Sequence, residues 1–179
     1  MTGYAELYLQ ATRDITVANP LAMAAGNTIR LEANNNININ AAVTTSGTPS
    51  SARPSITLTA DADGDGAGTA AINAALASQQ GGMAISGASV TSTAAGTITT
   101  TGAAGQNAGS LTIGASGVLS LAGAITANGG AASAGSAGNA GGTVNLSGGT
   151  VTVGAINARG SNAAVATNNA GGRKSSPPR

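Results

Sequence analysis

The sequence predicts an all-β fold, a right-handed parallel β-helix of about five coils of roughly 27–33 residues, each with three short strands. A spacing, an alternation and a composition predict it. Apolar–polar alternations recur as TIRLEA (28–33), SITLTA (55–60), GMAISG (82–87), SLTIGA (110–115) and TVNLSG (143–148). Their leading apolar residues are Ile29, Ile56, Met83, Leu111 and Val144. These stand roughly 27 to 33 residues apart, and a period of this size marks a solenoid. Within the repeats apolar residues sit two apart, as in Ile29/Leu31, Ile37/Ile39, Leu111/Ile113, Leu119/Leu121 and Val151/Val153, which puts each pair on one face of a strand. The composition fits a narrow interior: 28 Gly, two Tyr, and no Phe or Trp. A single coil cannot bury its apolar face, whereas stacked coils share one core and pair their backbones. Crossover chirality favours the right-handed form.

Taken in order, residues 1–27 read as an incoming half-coil or cap. DITVANPLAMAAGN (14–27) carries two of its strands, and Tyr4, Leu7, Tyr8 and Leu9 help to cover the first coil. Coils then start near 28, 55, 82, 110 and 143. The first adds NNININ (35–40) and AAVTT (41–45), where Asn34 to Asn36, Asn38 and Asn40 suit turns and stacked amide ladders. The second adds TAAIN (69–73), and the third SVTST (89–93) and GTITTTG (96–102). The last two match step for step, with GVLSL (117–121) and AITANG (124–129) against GTVTV (149–153) and AINARG (155–160). The array runs to residue 172. RKSSPPR (173–179) holds two prolines and three basic residues and cannot continue a paired strand. It reads as a truncated or frameshifted tail, with a short polybasic interaction tail as the alternative.

Absences remove much chemistry. With no His and no Cys there is no Cys/His zinc site and no Ser-His or Cys-His nucleophile couple. Seven basic residues, three of them in the last seven positions, and no interleaved aromatics argue against nucleic-acid binding. No apolar run reaches the roughly 18 residues of a transmembrane helix, so membrane insertion is not expected. MTGYAELYLQATRD lacks the basic and apolar regions of a signal peptide.

DADGDG (61–66) holds three of the six acidic residues. Asp61, Asp63 and Asp65 match the first three ligand positions of an EF-hand loop, with Gly66 at the sharp turn. The pattern then fails, because Ile72 stands where the bidentate Glu belongs and no amphipathic helix flanks the loop. The stretch reads as a strand-to-strand turn. Its alternative is a weak, partly hydrated Ca²⁺ site on the same three carboxylates; no other cofactor is expected.

ATRDITVANPLAMAAGNTIRLEANNNININAAVTTSG (11–47) resembles the central repeats of filamentous-haemagglutinin-like large exoproteins, the adhesins exported by bacterial two-partner secretion. The cadence DI.V…A.NTI.L.A..NI.IN..V...G carries the resemblance, and Gly-rich coils such as 110–172 fit it. The resemblance implies a right-handed β-helical stalk, secreted or on the bacterial cell surface, with an outer-membrane transporter as its export partner. No NPNG-like segment of an amino-terminal secretion domain is present; Asn19-Pro20 alone does not supply it. With no signal peptide either, the chain resembles an internal piece of such a protein.

The function expected is therefore structural and adhesive, without catalysis. Contacts with a host-cell or surface glycan or protein fall on the loops 46–54, 78–82, 102–109, 129–142 and 160–172. Arg53, Gln79, Gln80, Asn107 and Arg159 are the candidates on or beside them. Spacer loops are the plainer reading of such Gly/Ala-rich segments. Two alternatives remain: a polysaccharide-acting β-helix enzyme built on the Asp61 turn with an Arg nearby, and an ice-binding solenoid using outward Thr. Asn145-Leu146-Ser147 is a glycosylation sequon, placed on a strand. The purified chain is expected to give a β-rich circular dichroism spectrum and a cooperative melt that millimolar calcium leaves unchanged. A coil spectrum that folds only on adding calcium would overturn the solenoid and move the chemistry to the acidic turn.

Overall fold

The structure, a computed structural model, describes residues 5–47 and 55–164. Its 18 strands fall into groups of three. Coil 1 has β1 (Glu6–Ala11), β2 (Ile15–Val17) and β3 (Leu21–Ala22). Coil 2 has β4 (Thr28–Ala33), β5 (Ile37–Ile39) and β6 (Val43–Ser46), and coil 3 has β7 (Ile56–Thr59), β8 (Thr69–Ile72) and β9 (Leu76–Gln79). In coil 4 these are β10 (Met83–Gly87), β11 (Ser89–Ser92) and β12 (Ile98–Thr99). Coil 5 has β13 (Leu111–Ala115), β14 (Val118–Leu121) and β15 (Ile125–Thr126). Coil 6 closes with β16 (Val144–Ser147), β17 (Thr150–Val153) and β18 (Ile156–Asn157).

First strands, second strands and third strands each build one six-stranded sheet, ordered β1-β4-β7-β10-β13-β16, β2-β5-β8-β11-β14-β17 and β3-β6-β9-β12-β15-β18. We call them the first, second and third sheets. Every pairing is parallel. This is a parallel β-helix, as the period requires. With strands ~4.8 Å apart, six coils span about 24 Å from first to last.

The register reproduces the sequence period. Leu7, Ile29, Ile56, Met83, Leu111 and Val144 stack in one column of the first sheet. In the second sheet the column is Ile15, Ile37, Ala70, Val90, Leu119 and Val151. Leu21, Val43, Leu76, Ile98, Ile125 and Ile156 form that of the third. Between coils 2 and 5 these residues are at most 2% exposed. Alternation does the sorting: β4 buries Ile29, Leu31 and Ala33 and turns Thr28, Arg30 and Glu32 outward. Burial of such apolar surface, at about 25 cal/mol per Å², is what holds one coil on the next.

One element differs from expectation. Positions 6–22 form a complete coil rather than an incoming half-coil, so there are six coils instead of about five. ELYLQA alternates as a strand should, but the step from Leu7 to Ile29 is shorter than any other between neighbours in the first sheet. Leu7, Tyr8 and Leu9 are thus part of that coil's first strand. Tyr4 and the 173–179 tail lie outside the described residues.

Where the third strands of coils 2, 3 and 4 leave the interior, an inward hydroxyl takes the place of an apolar side chain. Thr45 donates to Asn27 O (3.1 Å), Ser78 to Gly81 O, and Thr100 to Gly109 O (2.8 Å). Buried hydroxyls are tolerated because each meets a backbone carbonyl just before a first strand begins. Ile85, at 2% exposure, and Thr112, on the outer surface, test this architecture. Ile85→Ala is expected to cost about 2–5 kcal/mol in urea denaturation. Thr112→Ala should stay within about 0.5 kcal/mol. Equal effects would mean the inward columns do not carry the stability.

Candidate functional site

Three groups of polar residues stand out on the outer surface. The first is the turn between β7 and β8. Its backbone is tied to coil 2, with Asp61 N–H donating to Asn35 O (3.2 Å) and Ala62 N–H to Ala33 O (3.1 Å). Asp61 adopts φ +58°, and Gly64 and Gly66 follow at +73° and +85°. A Cβ at Gly68 would run into Asp61 N and Asn35 O, so only glycine closes the loop against coil 2. Asp61 Oδ1 accepts from Gly66 N–H (2.9 Å) and Asp65 Oδ1 from Ala67 N–H (2.9 Å).

One carboxylate oxygen from each of Asp61, Asp63 and Asp65 lies within 4.8 Å of the others. That spacing can hold one hard cation with water completing its shell. Two of the three carboxylates are also acceptors for the turn, which accounts for Asp at positions 61 and 65 without an ion. The same corner continues through coils 1 and 2. Asp14 Oδ1 accepts from Asn36 N–H (3.0 Å) and Asn36 Nδ2 (2.9 Å), and Asn36 Oδ1 accepts from Thr69 N–H (3.1 Å). One corner further on, Asn73 Nδ2 donates to Asn40 Oδ1 at 2.9 Å. Amide stacking therefore occurs at exposed corners.

The second group centres on Glu32, on the outer face of the first sheet. Its carboxylate takes Arg30 Nη2 at 2.7 Å, Tyr8 O–H at 3.0 Å and Gln10 Nε2 at 3.4 Å. The Arg30 guanidinium also sits 4.6 Å from the Tyr8 ring centroid, a cation–π contact. The hydrogen bond to Glu32, then desolvation and the Glu32 charge, hold the Tyr8 hydroxyl pKa above its ordinary value. Sequence reasoning missed this cluster. The outward alternation of Tyr8, Gln10, Arg30 and Glu32 was legible, but joining them needs the register between β1 and β4.

The third group is the loops of coils 4 to 6, which stack on one another. Gly105 N–H donates to Ala131 O (2.7 Å), Gly130 N–H to Gln106 O (2.9 Å), Ala108 N–H to Ala140 O (3.0 Å) and Ser161 N–H to Asn139 O (2.8 Å). Side chains add to this: Asn107 Oδ1 accepts from Ala140 N–H (2.8 Å), and Asn128 Oδ1 from Arg159 N–H (2.9 Å). A Cβ at Gly130 would strike Ala103 O, so glycine is what lets these backbones meet.

Of the candidate contact residues, Asn107 and Arg159 thus belong to the stacked loops of coils 4 and 6. Gln79 is the exposed end of β9. Gln80 adopts φ +55°, and its Oε1 and Thr101 Oγ1 are buried side-chain atoms without a partner. Arg53 lies outside the described residues. Arg30 is held by Glu32 and Tyr8 on the first sheet, and the acidic turn occupies the corner beyond that sheet. Asn145 is exposed on β16. The outward row of the third sheet reads Ala22, Thr44, Ala77, Thr99, Thr126 and Asn157, so threonine does not run unbroken along it.

Fold and surface together define a parallel β-helical repeat protein whose outer residues mainly cap corners and pair coils. Residues 3–84 match the Hemagglutinin repeat family, a span that takes in coils 1 to 3 and the start of β10. This part of the chain is a filamentous-haemagglutinin-like repeat region. No curated protein and no solved structure matches the chain. At the acidic turn, Asp61→Ala is expected to cost about 1–2 kcal/mol more than Asp61→Asn, which keeps an acceptor and tolerates positive φ. Asp63→Ala, whose carboxylate caps no turn amide among the described hydrogen bonds, should change stability by less than about 0.5 kcal/mol. Denaturation midpoints check both, and a large loss at Asp63 alone would point to a bound ion.

Proposed function

We propose that this chain is a non-catalytic stalk segment of a bacterial secreted or cell-surface adhesin. It spaces and presents contact surfaces, and its export partner is an outer-membrane transporter. The match of residues 3–84 to the Hemagglutinin repeat supports this most directly. The physical design agrees with it: coils stack without a break, and the outer polar groups are spent largely on one another. In this role the outer loops and corners touch the partner, a glycan or protein of another cell or surface. Gln79, Gln80, Asn107, Arg159 and Arg53 are the proposed contacts.

Antibody raised against the folded chain is expected to label intact cells or to recover the chain from the medium. Deleting the transporter should abolish that signal while leaving the chain detectable in lysates. A chain found only inside cells, whatever the transporter's state, would sink this reading.

A further inference from the structure

We propose that Asn128-Gly129 is a self-modification site, a succinimide-forming pair that coil 6 holds unreactive and that deamidates in water whenever coil 6 lifts from coil 5. Asn is followed by Gly at this one place in the sequence. An Asn side chain can close a five-membered ring onto the next backbone nitrogen, and glycine, with no Cβ, leaves that approach open. The pair stands just past β15, where the long loop 129–142 begins.

The reaction needs nothing beyond the chain except water and hydroxide from the solvent. Gly129 N gives up its proton to hydroxide and attacks Asn128 Cγ. The new C–N bond forms, the Cγ–Nδ2 bond breaks, and the side-chain nitrogen leaves as ammonia with a proton from water. Water then adds to either carbonyl of the ring. Opening one way gives aspartate. Opening the other way gives isoaspartate, whose main chain runs through Cγ and is a methylene longer.

The folded chain withholds both reacting groups, and the backbone of one coil 6 residue does it. Gly129 N–H carries the proton that must leave, and it is donated to Arg159 O at 2.8 Å. Asn128 Oδ1 accepts from Arg159 N–H at 2.9 Å, which fixes the carbonyl that would have to swing onto Gly129 N. Donation to Oδ1 by itself would polarise Cγ and favour attack, but a nitrogen whose proton is held cannot serve as the nucleophile. The backbone on either side is tied as well. Ala127 N–H donates to Asn157 O (2.7 Å), Gly102 N–H to Asn128 O (2.9 Å) and Gly130 N–H to Gln106 O (2.9 Å). The pair therefore reacts only through local opening, at a rate scaled by the fraction of time it is open.

The fold also has no room for the longer product. A Cβ at Gly129 would strike Asn139 O, and one at Gly130 would strike Ala103 O. Ala127, immediately before the pair, is fully buried. An isoaspartyl link therefore cannot rebuild the stacked loops, and modification of the open chain works as a one-way mark. The aspartate product keeps both the backbone length and an acceptor for Arg159 N–H.

The test holds the full 179-residue chain at mildly alkaline pH, folded in buffer or unfolded in urea, and follows each asparagine by peptide mass spectrometry with an isoaspartate assay. In urea Asn128 should be lost before any other asparagine. In buffer its loss should be at least about tenfold slower. As urea is added, that loss should rise in step with hydrogen exchange at Gly129 N–H, because both need the same opening. Arg159→Pro lacks the N–H that holds Oδ1 and should raise the rate in buffer, with circular dichroism confirming the fold. If that variant misfolds, the match between exchange and deamidation in the wild-type chain still gives the answer. After ageing in urea and refolding, isoaspartyl chains should lose exchange protection at Gly102 and Gly129, whereas Asn128→Asp should keep it. Four results would overturn the proposal: equal loss of Asn128 in buffer and urea; earlier loss of another asparagine in urea; slow loss in buffer while Gly129 N–H exchanges freely; or a folded Arg159→Pro with an unchanged rate.

Discussion

Everything in this molecule depends on in-register parallel pairing between one coil and the next. A parallel strand satisfies its backbone only with a neighbour on each side, and a short one gains too little from a single neighbour to stand alone. Register then dictates chemistry. Because side chains alternate with period two, a slip of one residue would turn Ile29 and Leu31 outward and Arg30 and Glu32 into the core. The inward columns, with their neighbours fully buried between coils 2 and 5, make that slip prohibitive.

The same constraint decides where variation goes. In the first sheet the step between coils is shortest from Leu7 to Ile29 and longest from Leu111 to Val144, yet the columns stay aligned. Extra length is expelled at the corners. There the backbone would be left without partners, and the chain answers with small polar side chains. Asp14, Asn36 and Asp61 cap amides on one edge, while Thr45, Ser78 and Thr100 cap carbonyls on another. The longest insertions, in coils 4 to 6, are rich in glycine and use it to pair backbone on backbone as a layer of their own. Hydrogen-bonding groups that elsewhere would form a site are here largely consumed in holding turns.

Charge is distributed unevenly over this scaffold. The coils that match the Hemagglutinin repeat carry every carboxylate, and between Asp65 and Arg159 there is no charged residue at all. On the matched coils Glu32 gathers Arg30, Tyr8 and Gln10 into one cluster across β1 and β4. The later coils show water mainly Thr, Ser, Asn, Gly and Ala, with Val118, Val151, Val153 and Ile156 also exposed. Stiffness along the stack of coils follows from the seam.

The sequence by itself determined the coil. Ile29, Ile56, Met83, Leu111 and Val144 announced the period, and apolar pairs two apart announced the strands, because burial and alternation are local patterns that one chain must display to fold this way. It also placed Asp61, Asp63 and Asp65 on a turn between strands. Only the tertiary structure decided that positions 6–22 make a full coil, since its short step hides ELYLQA from the period of the later coils. Only the tertiary structure joined Tyr8 to Glu32 and Gly105 to Ala131, or drew Asp61 Oδ1 onto Gly66. Such contacts link residues that no periodicity relates, and their geometry is set by how the coils register.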